Sequence, residues 1–344
     1  MREITIIQPD DWHCHLRDGE YLTRTVPDTA SQFRRAIVMP NLAVPITTAN
    51  AAKQYKQRIM AHIPEGVDFD PLMTLYLTDQ TKAQHILDAK KSGIVYGAKL
   101  YPKGATTHSE AGVTRIEKMY HTFESMSEHH LPLLIHGEVN DPDIDIFDKE
   151  KHFIDKVLSQ IVKNFSSLKI VLEHITTKEA VDFITEAPDN VAATITPHHL
   201  MYDRNKILQG GIKPHYYCLP ILKRREHKLA LINAATSGNP KFFLGTDSAP
   251  HSIARKESSC GCAGIYNAVA AIEFYTEVFA HAGKLNKLEA FSSLHGPGFY
   301  GLAPNINTMT LREEPMHIPE TIRFGEEILQ PMRSGQTVSW QIVK

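Results

Sequence analysis

Short apolar runs rich in β-formers recur along the chain, each ending in polar residues, and amphipathic stretches follow most of them. The runs read as strands are ITIIQ leading into WHCHL, RAIVMPN, PLMTLYLT, GAKLY, LPLLIHGE, KIVLEHIT, VAATITPHH and FFLGTDSAP, eight in all. Helical spacing predicts helices over residues 51–62, 81–91, 113–128, 147–162, 177–186, 225–235 and 266–282. The fifth of these opens on Thr-Thr-Lys-Glu, a capped start. Strands alternating with helices imply a parallel sheet, and eight units predict an α/β fold of the (β/α)8 TIM-barrel type. A doubly wound open sheet is the competing architecture, but no Gly-rich phosphate turn follows an early strand. The expectation is one domain over 1–344, with a small C-terminal extension of irregular or short-strand character over about 304–344.

Composition narrows the classes. Hydrophobic residues make up 42% and charged residues 22%, as suits a large core. With 37 basic and 39 acidic residues the net charge is -2, which argues against a nucleic-acid-binding surface. No apolar run reaches the roughly 18 residues of a membrane span. The N-terminal stretch lacks a signal peptide's order of features, so a cytoplasmic protein is expected. Cys14, Cys218, Cys260 and Cys262 read as free thiols, the CGC pair being too few and too close for a zinc finger.

The chemistry lies where the unusual residues fall. His13 and His15 close the first run at H-x-H spacing, so both can grip one ion while Cys14 faces away. Lys99 ends the fourth run, His136 the fifth, His174 the sixth and Asp247 the eighth. In a barrel all these tips meet at one rim. Each alone has an ordinary explanation: a hydrogen-bonded histidine, a solvated lysine, an aspartate in a turn. Together they point to a metal site, and nitrogen ligands with few thiols favour zinc, with manganese, iron or cobalt as substitutes. A protonated lysine cannot bind a cation. A neutral Lys99 that has taken up carbon dioxide becomes a carbamate able to bridge two. His121, His129, His130, His152, His198 and His199 read as surface or structural, and the acidic run Asp141, Asp143, Asp145 and Asp148 as a solvated loop without EF-hand spacing.

The segments DDWHCHLRDG, RAIVMPNLAVPITT, AKLYPKGATT, PLLIHGEV, EHITTK, AATITPHHLMYDRN, YCLPILKR, LGTDSAPH and RKESSCGCAG together resemble the amidohydrolase superfamily, and within it the bacterial class II dihydroorotases. The resemblance runs from residue 10 to about 302. It implies two zinc ions per subunit, bridged by Lys99 as N6-carboxylysine and by a hydroxide. His13, His15 and Asp247 would hold one ion, and His136 and His174 the other. Arg17, Asn41 and His251 would bind the substrate carboxylate, Leu219 and Ala263 the ring through backbone atoms, and Thr106 and Thr107 would ride a mobile loop. Asp247 would act as the catalytic proton carrier. The implied substrate pair is N-carbamoyl-L-aspartate and dihydroorotate, in pyrimidine synthesis, and the implied assembly a homodimer. Cys14 departs from the aliphatic residue expected there; beside the metal site it is a candidate for oxidation. A hydantoinase or allantoinase would share the metals but not need the carboxylate clamp, and a metal-free scaffold would be expected to have lost ligands.

Overall fold

The computed structural model describes residues 2–343. The first apolar run divides in two. β1 (Glu3–Ile7) leaves the barrel altogether, and β2 (Asp11–Cys14) begins it. The parallel sheet continues through β3 (Arg35–Val38), β4 (Asp70–Tyr76), β5 (Val95–Leu100), β6 (Leu133–His136), β7 (Ile170–Glu173), β8 (Val191–Ile195) and β9 (Phe242–Leu244), eight strands in strict chain order. The ends of the sheet meet just past the last strand. Asp247 N donates to His13 O at 2.9 Å and His15 N donates to Ser248 O at 3.0 Å. Asp11 locks this seam, accepting from Thr246 N at 2.9 Å and Thr246 Oγ1 at 2.6 Å. The result is the expected TIM-like barrel.

Alternation along each strand sorts the side chains. Cys14, Val38, Ala98, Leu100, Leu133, Ile135, Leu172, Ala193 and Leu244 sit in the outer core between strands and helices. Ile37, Leu72, Leu134, Val171, Ala192 and Phe243 fill the interior, and Trp12 joins them. Trp12 stacks on Tyr300 at 4.5 Å, and a side chain at Gly296 would collide with its indole. The register between β2 and β3 shifts between Asp11 and Cys14, so Trp12 reaches the interior although His13 faces it as well. Two residues beyond the interior hydrocarbon layer, the inward positions turn polar: Leu134 gives way to His136, Val171 to Glu173, Ala192 to Thr194.

Most predicted helices stand, with ends moved by local pairing. Thr48 and Thr177 cap theirs by accepting from Ala51 N and Ala180 N. The helix expected over 266–282 begins only at Ala271, because Asn267 N and Ala268 N are held by Ser248 Oγ. The 147–162 stretch is broken by a π-helical turn, Ile154–Leu158, and the 113–128 stretch opens with the 3-10 turn Ile116–Met119. Leu22–Ala30 is an unpredicted helix containing Pro27, a residue that normally interrupts helical signatures. The C-terminal extension is more ordered than expected: β10 (Thr308–Arg312) pairs antiparallel with β1 from Glu3↔Arg312 to Ile7↔Thr308. Among the described residues, no helix is long and apolar enough to cross a membrane.

Because Leu134 is fully buried in the barrel interior, Leu134→Ala should cost about 2–5 kcal/mol in urea unfolding. Val44→Ala, at a position 80% exposed, should stay within about 0.5 kcal/mol.

Candidate metal centre and substrate cleft

The polar layer at the carboxyl ends of the strands lines a narrow cleft. His13, His15, His136, His174 and Asp247 all face it, together with Arg17, Asn41, Thr106, Thr107, Leu219 and Ala263. Of the expected site residues only Lys99 and His251 fall outside this lining. Lys99 lies fully buried beneath the rim, against Glu173, and His251 lies against Arg17.

His13, His15 and Asp247 form one tight group. Asp247 Oδ1 is 3.1 Å from His15 Nε2 and 3.3 Å from His13 Nε2, and the two Nε2 atoms are 3.3 Å apart. Three electron-pair donors gathered this closely suit a cation. His15 Nδ1 donates to Asn41 Oδ1 at 2.9 Å, which turns Nε2 towards the group. His174 lies between His13 and His136, its ring 4.9 Å from each. Its Nδ1 is buried with no hydrogen-bond partner, an arrangement that costs about 1–3 kcal/mol unless an ion or water satisfies it. His136 Nε2 is paired with Glu138 at 3.0 Å. The donor set therefore fits metal.

Strand alternation alone does not bring His174 inward. It follows Glu173, the residue that actually shares the inward face with Val171. His174 reaches the cleft because its backbone turns through φ 44°, and Asp247 and Arg17 do the same at φ 42° and 61°. Such left-handed conformations in residues with side chains store strain, and they cluster at functional sites.

Burial sets the protonation states. It pushes His13 and His136 below the usual histidine range, His174 well below it, and His15 down to about 3. All four imidazoles are thus neutral donors at physiological pH. Asp247 is buried too, which alone would raise it, but the His13 and His15 ring nitrogens packed against its carboxylate hold it well below the carboxylate range. Burial drives Lys99 well below the ordinary lysine range, opposed by the charge of Asp247. That is the direction carbamate formation needs, since the neutral amine is the nucleophile.

Arg17 donates from Nε to Pro250 O at 3.0 Å and from Nη2 to His251 Nε2 at 3.0 Å, leaving fork positions free towards the cleft. The neighbouring Asp18 is taken up by Arg58 and not by Arg17. Asn41 Nδ2 donates to Thr107 O at 3.3 Å, and Thr107 Oγ1 lies 3.5 Å from Ala263 O, so the loop carrying Thr106 and Thr107 rests across the cleft. Glu173 was not foreseen. It contacts Lys99 Nζ and comes within 2.9 Å of His13 Nδ1, off line for a hydrogen bond. Its signal was there in the alternation: Val171 in, Leu172 out, Glu173 in. Asp11 was missed too; it accepts from His13 N at 3.1 Å. His198 and His199, read as surface or structural, are both buried: His199 accepts from Thr196 and donates to Pro220 O, and the two histidines lie together with Cys218 in a second close group of donor atoms. Cys14 is wholly buried outside the ring of strands, which pushes its thiol up and shields it from the oxidation its position suggested.

The amidohydrolase family pattern matches residues 5–310. The chain belongs to that family. A dihydroorotase from Coxiella burnetii is 58% identical to this amidohydrolase over 342 residues, covering 99% of this chain and 98% of the relative. The crystal structure of a Campylobacter jejuni dihydroorotase superposes with a TM-score of 0.91 at 34% identity, covering 99% of this chain and 98% of that one. An L-hydantoinase from Arthrobacter aurescens reaches a TM-score of 0.80 at only 14% identity, covering 98% of this chain and 82% of that one, a likeness of fold alone.

In the metal-free amidohydrolase, the His15 ring should remain neutral at pH 5, where an ordinary histidine is protonated, as read from imidazole NMR shifts. Because its folded value lies below its unfolded one, the stability His15 contributes is present above about pH 6.5 and declines as pH falls from there towards about 3.

Proposed function

We infer from the full-length 58% identity to a curated dihydroorotase that this chain is a dihydroorotase, an amidohydrolase that interconverts dihydroorotate and N-carbamoyl-L-aspartate. The hydantoinase alternative is disfavoured by the 14% identity of that relative and by Arg17 and His251, which suit a carboxylate that neutral hydantoins lack.

In this reading His13, His15 and Asp247 would hold one zinc ion and His136 and His174 a second, with Lys99, once carboxylated, as a further oxygen ligand. Bound zinc supplies a Lewis acid and lowers the pKa of water towards about 7. The remaining work belongs to side chains. Arg17 offers a bidentate fork to the substrate carboxylate, with His251 and Asn41 beside it. The main chain at Leu219 and Ala263 fixes the ring in plane, and Thr106 and Thr107 close over it and exclude water. Asp247, ionised and next to the scissile amide, takes the proton of the attacking water and delivers it to the departing ring nitrogen. Closing the ring reverses this: Asp247 removes a proton from the ureido nitrogen as it attacks the side-chain carboxyl, and returns it to the carboxyl oxygen whose bond to carbon breaks, which leaves as water. A homodimer, as in the resemblance, completes the proposal.

Purified protein should turn over dihydroorotate and leave hydantoin untouched in parallel assays. Chelation should abolish turnover and zinc should restore it. Lys99→Ala should lose both activity and bound zinc, read by metal analysis; normal turnover and metal content in that variant would remove the paired-ion site. Arg17→Gln should raise KM for dihydroorotate roughly 10- to 100-fold, the loss of a charge-assisted pair of hydrogen bonds, with little change in Tm.

A further inference from the structure

Lys256 has no place in the chemistry above, yet it is a lysine only 3% exposed. It closes the short helix Ile253–Lys256, beyond His251, and its side chain turns into the barrel rim. Its Nζ donates to Tyr217 O at 2.8 Å, Cys262 O at 2.9 Å and Gly264 O at 2.7 Å. An ammonium has three protons, and all three are used on main-chain carbonyls. Burial lowers the group to about 8, against the opposing pull of Cys218 and Cys262, so it stays largely charged at neutral pH.

Those carbonyls belong to two segments far apart in sequence. One leads into Leu219 and the other flanks Ala263 on both sides. Gly264 N also donates to Tyr217 O at 3.0 Å, so the two segments are stitched at one point by a backbone bond and by the ammonium. The second segment is wrapped closely round its lysine. A side chain at Gly261 would meet Lys256 O at 2.6 Å, and one at Gly264 would meet Ala249 O at 2.5 Å and His251 Cδ2 at 2.9 Å. The same loop presents Ala263 O to Thr107 of the covering loop.

We propose that Lys256 is a positioning residue for substrate binding: by gathering the carbonyls of Tyr217, Cys262 and Gly264 on one charge, it fixes the spacing between the main chain at Leu219 and at Ala263 to which the ring binds, and sets the seat on which the Thr107 loop closes. This rests on the dihydroorotase reading. The ammonium touches neither the cation donors nor Asp247, so it governs binding rather than the bond-making step. A methylene chain without the charge would leave the Cys262 and Gly264 carbonyls without this donor and Tyr217 O with Gly264 N alone, and let the two segments drift apart.

The test is Lys256→Met, with zinc content, KM and kcat for dihydroorotate and amide hydrogen exchange measured against wild type. KM should rise about tenfold or more while kcat stays within about threefold, the pattern of lost binding common to ground and transition states. Zinc should be retained, and protection at residues 217–219 and 261–265 should fall together while the barrel strands keep theirs. A purely structural lysine would lower Tm or the active fraction and leave KM unchanged, and that result overturns the proposal. Lys256→Gln, which keeps two donors, provides the same comparison if the Met variant does not fold; should neither fold, the role is structural and the proposal falls. Wild-type protein inert towards dihydroorotate would instead overturn the activity reading, which separates the two failures.

Discussion

The polar layer of the site follows from the two-residue period of strands closed into a ring. Closure leaves an interior without bulk water, and the period decides which residue of each strand enters it. Below, those positions hold Leu134, Val171 and Phe243; one step higher they hold Lys99, His136 and Glu173. Ionisable groups in that layer cannot lean on solvent, so each takes the state its neighbours impose. Imidazoles stay neutral, Asp247 stays charged with the His13 and His15 rings packed against it, and Lys99 is driven towards the free amine. Once Asp11 and Thr246 seal the ring, the donor cluster is assembled by the same bonds that hold the barrel shut.

The barrel was legible because its strands alternate with amphipathic helices and its rim residues are chemically unusual. His13, His15, Lys99 and His136 could be placed from strand phase alone. His174 could be named but not explained, since phase points Glu173 inward and only a left-handed backbone turn brings the histidine round. That turn leaves no mark in composition. Arg17 with His251, and Lys256 with Tyr217, are contacts between residues distant along the chain, so no local pattern reveals them. The first run was misjudged because ITIIQ and WHCHL read as one apolar stretch; Pro9 between them was the available sign of a break.

Substrate recognition in this reading draws on loops, and those loops are tied down by main-chain bonds rather than by large apolar contacts. Asn41 joins the His15 ring to the Thr107 loop, Thr107 rests on Ala263, and Lys256 ties Ala263 to the Leu219 segment. Occupancy of the cation site and closure over the substrate therefore share a chain of hydrogen bonds running through Asn41, and neither is independent of how His15 is oriented.

The pairing of β1 with β10 has a bearing on how the chain is made. Glu3 to Ile7 find their partners only at Thr308 to Arg312, so at about 5–20 residues per second the ribosome leaves that strand's edge bare for roughly 15–60 s. During that interval the EITII segment faces the surrounding proteins with no strand paired to it, an opening for chaperones and for self-association alike. Salt links between Arg2 and Glu313 and between Glu3 and Arg312 then set the register when the late strand arrives. The last stretch of chain thus works as a clasp on the first, ending its exposure.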